Sequence, residues 1–245
     1  MKSPNKIFLP AATALMLLLA SCGGRKESAT IQGMNAVLTN EMSDDGQLAK
    51  LDRDATVFMQ RWQIRGMELA VMRKDSLLFA KGYGLADQEK EEPMRPGTIM
   101  RVASVSKLIT AAGIMKLREQ GKIRLSEKVF GKNGILNDTL FTNHISDKGY
   151  YDITVEQLLR HEGGLTIRRG DPMFRSRDWM TIYNLDEVPD QDMLTSIAVR
   201  KRLGYTPGKS HEYSNFGYLL LSMIIEKKTG EDYEKWMQEN VLVPA

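Results

Sequence analysis

The sequence is poor in the residues that form disulfides and bind metal ions. It has one cysteine and three histidines in 245 residues, so an intrachain disulfide is excluded and little material remains for a metal site. We therefore expect no metal or other cofactor. The 34 basic and 31 acidic residues nearly balance, and the absence of a long basic run argues against a nucleic-acid partner. The remaining composition is globular, with 42% hydrophobic residues, enough for one large domain or two small ones.

The first 22 residues have the pattern of a lipoprotein signal peptide. Two lysines precede an apolar run at 7–20 that is too short to span a membrane comfortably. The run ends in Leu-Ala-Ser-Cys at 19–22, followed by two glycines, which resembles a bacterial lipobox. An ordinary signal peptide that ends near a cysteine is the alternative. A lipid on Cys22 would anchor the protein to a bacterial membrane on the extracytoplasmic side, in the periplasm or at the cell surface.

The rest of the chain divides into a predicted flexible tether at 23–47, rich in small polar residues, and a domain at 48–245. Apolar spacing predicts an amphipathic helix over 48–63 and strands at 67–72 and 77–83, with a charged loop at 86–97. Further helices are predicted at 154–161, 190–202, 216–228 and 231–241, whereas 131–150 and 164–185 have the composition of loops. The helix at 216–228 is apolar nearly all round, which predicts burial.

Ser104 and Lys107 form the S-x-x-K pattern at the predicted start of another helix. A spacing of three residues puts both side chains on one face, so the lysine amine can reach the serine hydroxyl. The positive end of the helix dipole and burial disfavour a charged lysine, and a neutral lysine beside a serine is a base beside a nucleophile. Alone the pattern is weak, and a capping serine with a solvated lysine is the ordinary alternative.

A second motif, Tyr213-Ser214-Asn215, supplies a phenol and an amide. Arg101–Lys107, Leu158–Leu165 and Pro207–Leu220 follow one another in the order typical of a known family. From about residue 48 to its end, the chain resembles the serine beta-lactamase-related family, which contains class C beta-lactamases, D-alanyl-D-alanine peptidases and related esterases. The resemblance implies an α+β fold of the beta-lactamase/transpeptidase type, an antiparallel sheet flanked by helices plus a helical region.

The resemblance also implies roles for individual residues. Ser104 would be the acylated nucleophile, with its backbone N–H as half of an oxyanion hole, and Lys107 its base or proton shuttle. Tyr213 would be the second proton carrier and Asn215 a contact for the lysine and a substrate amide. The expected activity is a serine hydrolase working through an acyl-Ser104 enzyme on an amide, ester or beta-lactam, with a small molecule or a peptidoglycan peptide as substrate. A non-catalytic protein that binds such peptides or beta-lactams, or an inactive fragment, is the alternative.

Three other patterns invite different interpretations. Lys228-Thr229-Gly230 spells the family's third motif, K-T-G, but its place directly after an apolar helix favours a helix stop. His161-Glu162 lacks the second histidine of a zinc protease motif, and no G-x-S-x-G surrounds Ser104, so a Ser-His-Asp triad is disfavoured. Each histidine is expected in a loop or cap. The family usually has Thr and Ser where this chain has Glu162 and Gly163, a stretch expected to be structural.

In the family, later strands complete the sheet and carry the third motif with the second oxyanion donor. No such strand pattern follows Val241 in this sequence. We therefore expect the C-terminal strands to be missing and the chain as given to be poorly active alone.

The lipobox interpretation predicts that Cys22→Ser releases the protein from the membrane fraction or leaves its leader uncleaved, because the acyl chain has lost its attachment point. Cell fractionation and the mass of the processed chain measure this. Ser28→Ala, just beyond the motif, serves as the control. Unchanged fractionation and an unchanged processed mass for Cys22→Ser would contradict the interpretation.

Overall fold

The computed structural model describes residues 39–40, 49–74, 76–168 and 170–244. The predicted signal peptide and Cys22 lie outside the described residues, as does the predicted tether apart from Thr39–Asn40. The chain divides into two compact units, one ending at Arg101 and the other beginning at Val102.

The first unit is a small antiparallel sheet with one helix. Its elements are β1 (Thr39–Asn40), α1 (Ala49–Trp62), β2 (Gly66–Arg73), β3 (Ser76–Asp87) and β4 (Glu92–Pro93). The central strand β3 pairs antiparallel with β1 and β2, and its end pairs with β4. The β2–β3 register, Ala70 opposite Ala80, is interrupted by an irregularity after Val71.

The predicted first helix and both predicted strands are confirmed, with three corrections. Part of the predicted tether forms β1, β3 continues to Asp87, and β4 lies in the stretch predicted as a loop. At 92–93 the loop prediction was wrong, because the proline that argued against a strand is tolerated on a short edge strand such as β4. A Cβ at Gly82 would overlap the carbonyl oxygen of Met94, so this glycine lets the chain after β4 approach β3 closely.

A partly buried polar cluster connects α1 to β3. Lys81 Nζ donates to Asp52 Oδ2 at 2.9 Å and Tyr83 Oη donates to Asp52 Oδ1 at 2.6 Å. Partial burial raises the pKa of Asp52, but the hydrogen bonds from Tyr83 and Lys81 and the lysine charge more than offset it, so the pKa lies below its ordinary value. Burial and the neighbouring Asp52 charge raise the pKa of Tyr83. The cluster therefore satisfies a lysine whose side chain is only 10% exposed.

The second unit is helical. Its α-helices are α2 (Ser106–Glu119), α3 (Thr139–Thr142), α4 (Val155–Leu159), α5 (Ser176–Tyr183), α6 (Gln191–Ala198), α7 (Asn215–Thr229) and α8 (Tyr233–Met237). Short 3₁₀ turns occupy Ala103–Val105, Lys148–Asp152 and Pro172–Phe174, and a π turn, Gln238–Leu242, follows α8. Together with the sheet, these helices make the fold α+β, as predicted.

Most predicted helices of this unit are confirmed, although several are shorter than expected. The structure corrects the loop prediction for 164–185, which contains α5, and for 131–150, which contains α3. It also corrects the start of the serine helix, because α2 begins at Ser106 and Ser104 lies in the preceding 3₁₀ turn. Thr154 and Gln157 form a capping box at the start of α4, the feature that made this short helix predictable.

Helix α7 lies at the centre of the second unit's core, as its apolar sequence predicted. Six of its large apolar side chains are buried: Phe216, Leu220, Leu221, Met223, Ile224 and Ile225. They belong to one cluster with Ile114 and Leu117 of α2. A Cβ at Gly113 would lie 2.5 Å from Sδ of Met237 and 3.1 Å from Cδ1 of Ile225, so this glycine allows α2 close contact with α7 and α8.

The helix-stop interpretation of Lys228-Thr229-Gly230 is confirmed. Gly230 is the C-cap of α7 with φ +73°, in the left-handed conformation typical of such caps. Lys228 lies in the last turn and pairs with Glu127 at 2.6 Å. None of the helices in the described part of the chain combines the length and apolar character needed to cross a membrane.

The Asp52 cluster yields a stability prediction. Asp52→Asn removes the counter-charge of Lys81, and we expect the free energy of unfolding to fall by about 2 kcal/mol, below the range for fully buried pairs because Asp52 is partly exposed. Asp54→Asn, which breaks the exposed pair with Lys50, should cost less than about 0.5 kcal/mol. Urea unfolding followed by circular dichroism measures both.

The lowered pKa of Asp52 adds a pH dependence. Its stabilisation is present above the ordinary value of 3.8 and is lost as the pH falls below it. As the pH falls below 3.8, the free energy of unfolding of Asp52→Asn should therefore decrease less than that of the wild type. Equal stability losses in Asp52→Asn and Asp54→Asn would contradict the assignment.

Candidate active site

Ser104 lies in a constrained turn at the start of the helical unit. The preceding residue, Ala103, has φ +45°, a left-handed conformation that costs a non-glycine residue roughly 1–2 kcal/mol. Such strained positions cluster at functional sites. Ser104 itself is exposed, so a reagent in solution can reach its hydroxyl.

Two proton-carrying side chains contact the Ser104 hydroxyl. Lys107 Nζ donates to Ser104 Oγ at 3.3 Å, as the one-turn spacing predicted. Tyr213 Oη donates to the same oxygen at 2.7 Å, across 109 positions of sequence. A serine nucleophile is activated by an adjacent group that can take up its proton, and an amine and a phenol can both do so in their deprotonated forms.

Asn215 fixes the other side of the lysine. Its Oδ1 accepts a hydrogen bond from Lys107 Nζ at 2.6 Å, and its Nδ2 donates to Asp171 Oδ2 at 2.7 Å. The structure thus brings together all four predicted site residues, Ser104, Lys107, Tyr213 and Asn215, and adds Asp171 to them.

The start of α7 explains how Tyr213 and Asn215 reach the same site. Ser214 is the N-cap, and its Oγ accepts from the Gly217 N–H at 3.0 Å. Asn215 is consequently the first helical residue and faces Lys107, while Tyr213 precedes the cap and faces Ser104. Because Tyr213 and Asn215 lie on either side of the N-cap, they can contact Ser104 and Lys107 respectively.

His161 is a residue of this site that the sequence analysis placed only in a loop or cap. Its ring lies 4.6 Å from the Tyr213 ring and 5.0 Å from the Tyr218 ring, between centroids. Its Nδ1 accepts from the Ser214 N–H at 3.2 Å, which requires the proton on Nε2. Burial and the nearby charges of His211 and Lys107 lower the pKa of His161, so the neutral form that accepts this bond is favoured.

The surroundings of Tyr213 lower the pKa of its hydroxyl below the ordinary value. Lys107 Nζ lies 4.9 Å from the centre of the Tyr213 ring. The interaction with Lys107 is the largest cause that lowers the pKa of Tyr213, and the hydrogen bond with Ser104 is the second. A phenolate is thus formed at lower pH than in an ordinary tyrosine, which suits Tyr213 to accept a proton.

The contacts of His144 and Glu162 do not support a zinc protease site or a Ser-His-Asp triad. His144 contacts Arg200 at 3.1 Å, and Glu162 pairs with Arg160 at 3.2 Å. Within the described ranges, no group of three or more His, Cys, Asp or Glu side chains is arranged to hold a metal ion.

Sequence reasoning missed two residues of this site, Asp171 and His161, although His161 lies in the Leu158–Leu165 motif. Asp171 lies in a Gly-Asp-Pro segment that resembles a turn, and it contacts Asn215 across 44 positions of sequence. The sequence analysis rejected His161 as a metal ligand or triad member and expected it in a loop or cap, whereas its contacts here are with aromatic rings and a backbone N–H.

Ser104, Lys107 and Tyr213 thus lie in mutual contact at the start of the helical unit. The model of the beta-lactamase family matches residues 51–245, and the chain belongs to that family. The predicted resemblance and fold are therefore confirmed.

The chain is similar to a penicillin-binding protein and to a protein named flp. It is 28% identical over 187 residues to penicillin-binding protein 4* of Bacillus subtilis (strain 168), covering 76% of this chain and 37% of that protein. It is 27% identical over 205 residues to protein flp of Staphylococcus aureus (strain N315), covering 83% and 38%. The chain thus spans less than two fifths of the length of these curated relatives.

Solved structures show the same fold. The octameric penicillin-binding protein homologue from Pyrococcus abyssi matches with a TM-score of 0.61 and 26% identity, over 80% of this chain and 42% of that one. FmtA from Staphylococcus aureus matches with a TM-score of 0.60 over 89% and 55%, and at 18% identity this shows the fold alone.

The lowered pKa of Tyr213 predicts how acylation depends on pH. The rate at which a fluorophosphonate labels Ser104 should rise with pH and level off below about 10, the ordinary tyrosine value, because the phenolate accepts the serine proton. Tyr213→Phe should slow labelling and remove this rise. Labelling rates measured between about pH 6 and pH 10 test this, with exposed Tyr151→Phe as the control. The same pH-dependent rise in Tyr213→Phe would contradict the role.

Proposed function

We propose that the chain is a serine hydrolase that works by acyl transfer through an acyl-Ser104 intermediate on an amide, ester or beta-lactam. The observation that carries this proposal is the exposed Ser104 hydroxyl, which accepts hydrogen bonds from both Lys107 and Tyr213. A surface serine with a structural role would not need two titratable partners, one of them 109 positions away.

In the acylation step, Ser104 Oγ attacks the substrate carbonyl carbon while its proton passes to Tyr213 as the phenolate or to Lys107 as the neutral amine. The carbonyl oxygen becomes an oxyanion, which the Ser104 backbone N–H helps to stabilise. The tetrahedral intermediate collapses when the bond to the leaving group breaks. The proton taken from Ser104 goes to the leaving amine or alcohol, so that Tyr213 and Lys107 return to their starting states.

Deacylation repeats the sequence with water as the nucleophile. Tyr213 takes a proton from the water as it attacks the acyl carbon, and the proton then returns to Ser104 Oγ. When Lys107 is charged, its position near the Tyr213 ring stabilises the phenolate that accepts this proton. The acid product leaves and the free serine is restored, so atoms and protons balance over the cycle.

The substrate class is supported by the names of similar proteins. The Bacillus subtilis relative and the Pyrococcus abyssi homologue are named as penicillin-binding, which favours a beta-lactam or the peptidoglycan peptide that such a compound resembles. Those names also favour a second candidate function, a protein that binds these compounds without turning them over. Release of product from labelled Ser104 distinguishes the two.

We propose further that the protein acts on the extracytoplasmic side of a bacterial membrane, anchored by a lipid on Cys22. The support is the sequence at 19–22 and the apolar run before it. A peptidoglycan substrate would lie on that side of the membrane.

The proposal predicts that Ser104→Ala abolishes covalent labelling by a fluorophosphonate, because the nucleophile is gone. Lys107→Ala should slow labelling by about 10²-fold or more, since a general base contributes roughly this factor. Gel fluorescence and intact mass of the chain measure the label. Ser106→Ala, which changes the serine two positions later at the start of α2, is the matched control and should be labelled like the wild type. Labelling of Ser104→Ala at the wild-type level would contradict the proposal.

A further inference from the structure

Asp171 accepts three hydrogen bonds that fasten its loop to the site. Its Oδ1 accepts from the Met173 N–H at 3.0 Å. Its Oδ2 accepts from two groups of Asn215, the backbone N–H at 3.3 Å and the side-chain Nδ2 at 2.7 Å. The mechanism above gives Asp171 no part, since it contacts neither Ser104 nor Tyr213 in these bonds.

The bond to Nδ2 decides which way the Asn215 amide points. A side-chain amide has one donating end and one accepting end. Because Asp171 takes the donating end, the accepting Oδ1 faces Lys107 Nζ at 2.6 Å. A reversed amide would point its N–H groups at the lysine, which is itself a donor, and its oxygen at the carboxylate. Both new contacts would be repulsive.

We propose that Asp171 is a positioning residue for acyl transfer: its carboxylate orients the Asn215 amide, which in turn holds Lys107 beside Ser104. The role in acyl transfer rests on the proposed function. The orientation of Asn215 and Lys107 does not, and it can be measured without any substrate.

A count of acceptors shows why a carboxylate is needed. Three N–H groups, one from Met173 and two from Asn215, are satisfied by two oxygens of Asp171. Asp171→Asn keeps the size of the side chain but leaves one oxygen and adds two N–H donors. If the one oxygen of the new asparagine accepts from the Met173 N–H, its amide N–H groups face Asn215 and favour reversal of the Asn215 side-chain amide. If the oxygen turns to Asn215, the cap is lost.

A purely structural carboxylate offers a matched control. Asp147 caps the 3₁₀ turn Lys148–Asp152 through the Gly149 N–H at 2.9 Å, and its other oxygen accepts from the Leu203 N–H at 3.2 Å. Asp171 likewise caps a 3₁₀ turn, Pro172–Phe174, and accepts a distant backbone N–H. In these bonds Asp147 contacts none of the site residues Ser104, Lys107, Tyr213 and Asn215. Asp147→Asn therefore reproduces the loss of a cap without the link to Asn215.

The first test is nuclear magnetic resonance of the full chain with ¹⁵N-labelled asparagine and ¹³Cε-labelled lysine. Asn215→Asp and Lys107→Arg assign the two signals. We expect Asp171→Asn to shift both the Asn215 side-chain amide and the Lys107 signal, and Asp147→Asn to leave both in place. Unchanged signals in Asp171→Asn would overturn the proposal.

The second test measures the rate constant for fluorophosphonate labelling of Ser104. Asp171→Asn should lower it by up to about 100-fold, the size of effect that a small misplacement of a catalytic group causes. In an Asn215→Ala background, the same substitution should change the rate by less than about twofold, because Asp171 acts through Asn215. An equal loss in both backgrounds would show an independent structural role and overturn the proposal.

The two tests separate the inference from the function on which it rests. A wild-type chain that carries no label at Ser104 contradicts the proposed function, and the resonances then decide on the orientation of Asn215 by themselves.

Discussion

The hydrogen bond from Lys107 to Asn215 is the interaction on which the site depends. At 2.6 Å it joins the first turn of α2 to the first residue of α7, 108 positions apart in sequence. It forms only because the two helices share one buried core, in which Ile114 and Leu117 belong to the same cluster as Leu220 and Ile224. Burial of α7 therefore does more than stabilise the unit, since it also holds Asn215 beside Lys107, which contacts Ser104.

The groups around Lys107 form a continuous chain of polar contacts. Asp171, Asn215, Lys107, Ser104 and Tyr213 are joined in that order by hydrogen bonds of 2.7, 2.6, 3.3 and 2.7 Å. The carboxylate of Asp171 is at one end of this chain, Tyr213 with its lowered pKa is at the other, and Lys107 is the middle member.

The sequence predicted the parts of this arrangement that local patterns encode. The spacing of Ser104 and Lys107 and the order of the motifs predicted four side chains that the structure brings together, and the apolar run at 216–228 predicted the buried helix. Asp171 and His161 were missed because their contacts depend on how distant loops pack. The strand β4 and helix α5 were missed for a related reason: pairing with β3 and the burial of Trp179 outweigh weak local propensities.

The central claim is a covalent acyl-Ser104 intermediate, and the most direct measurement is the time course of the chain's mass after mixing with p-nitrophenyl acetate or penicillin G. The account predicts a mass increase equal to one acyl group, peptide mapping that locates it on Ser104, and a decay of the adduct as acid product appears. An unchanged mass throughout turnover, or an adduct on any other residue, would contradict it.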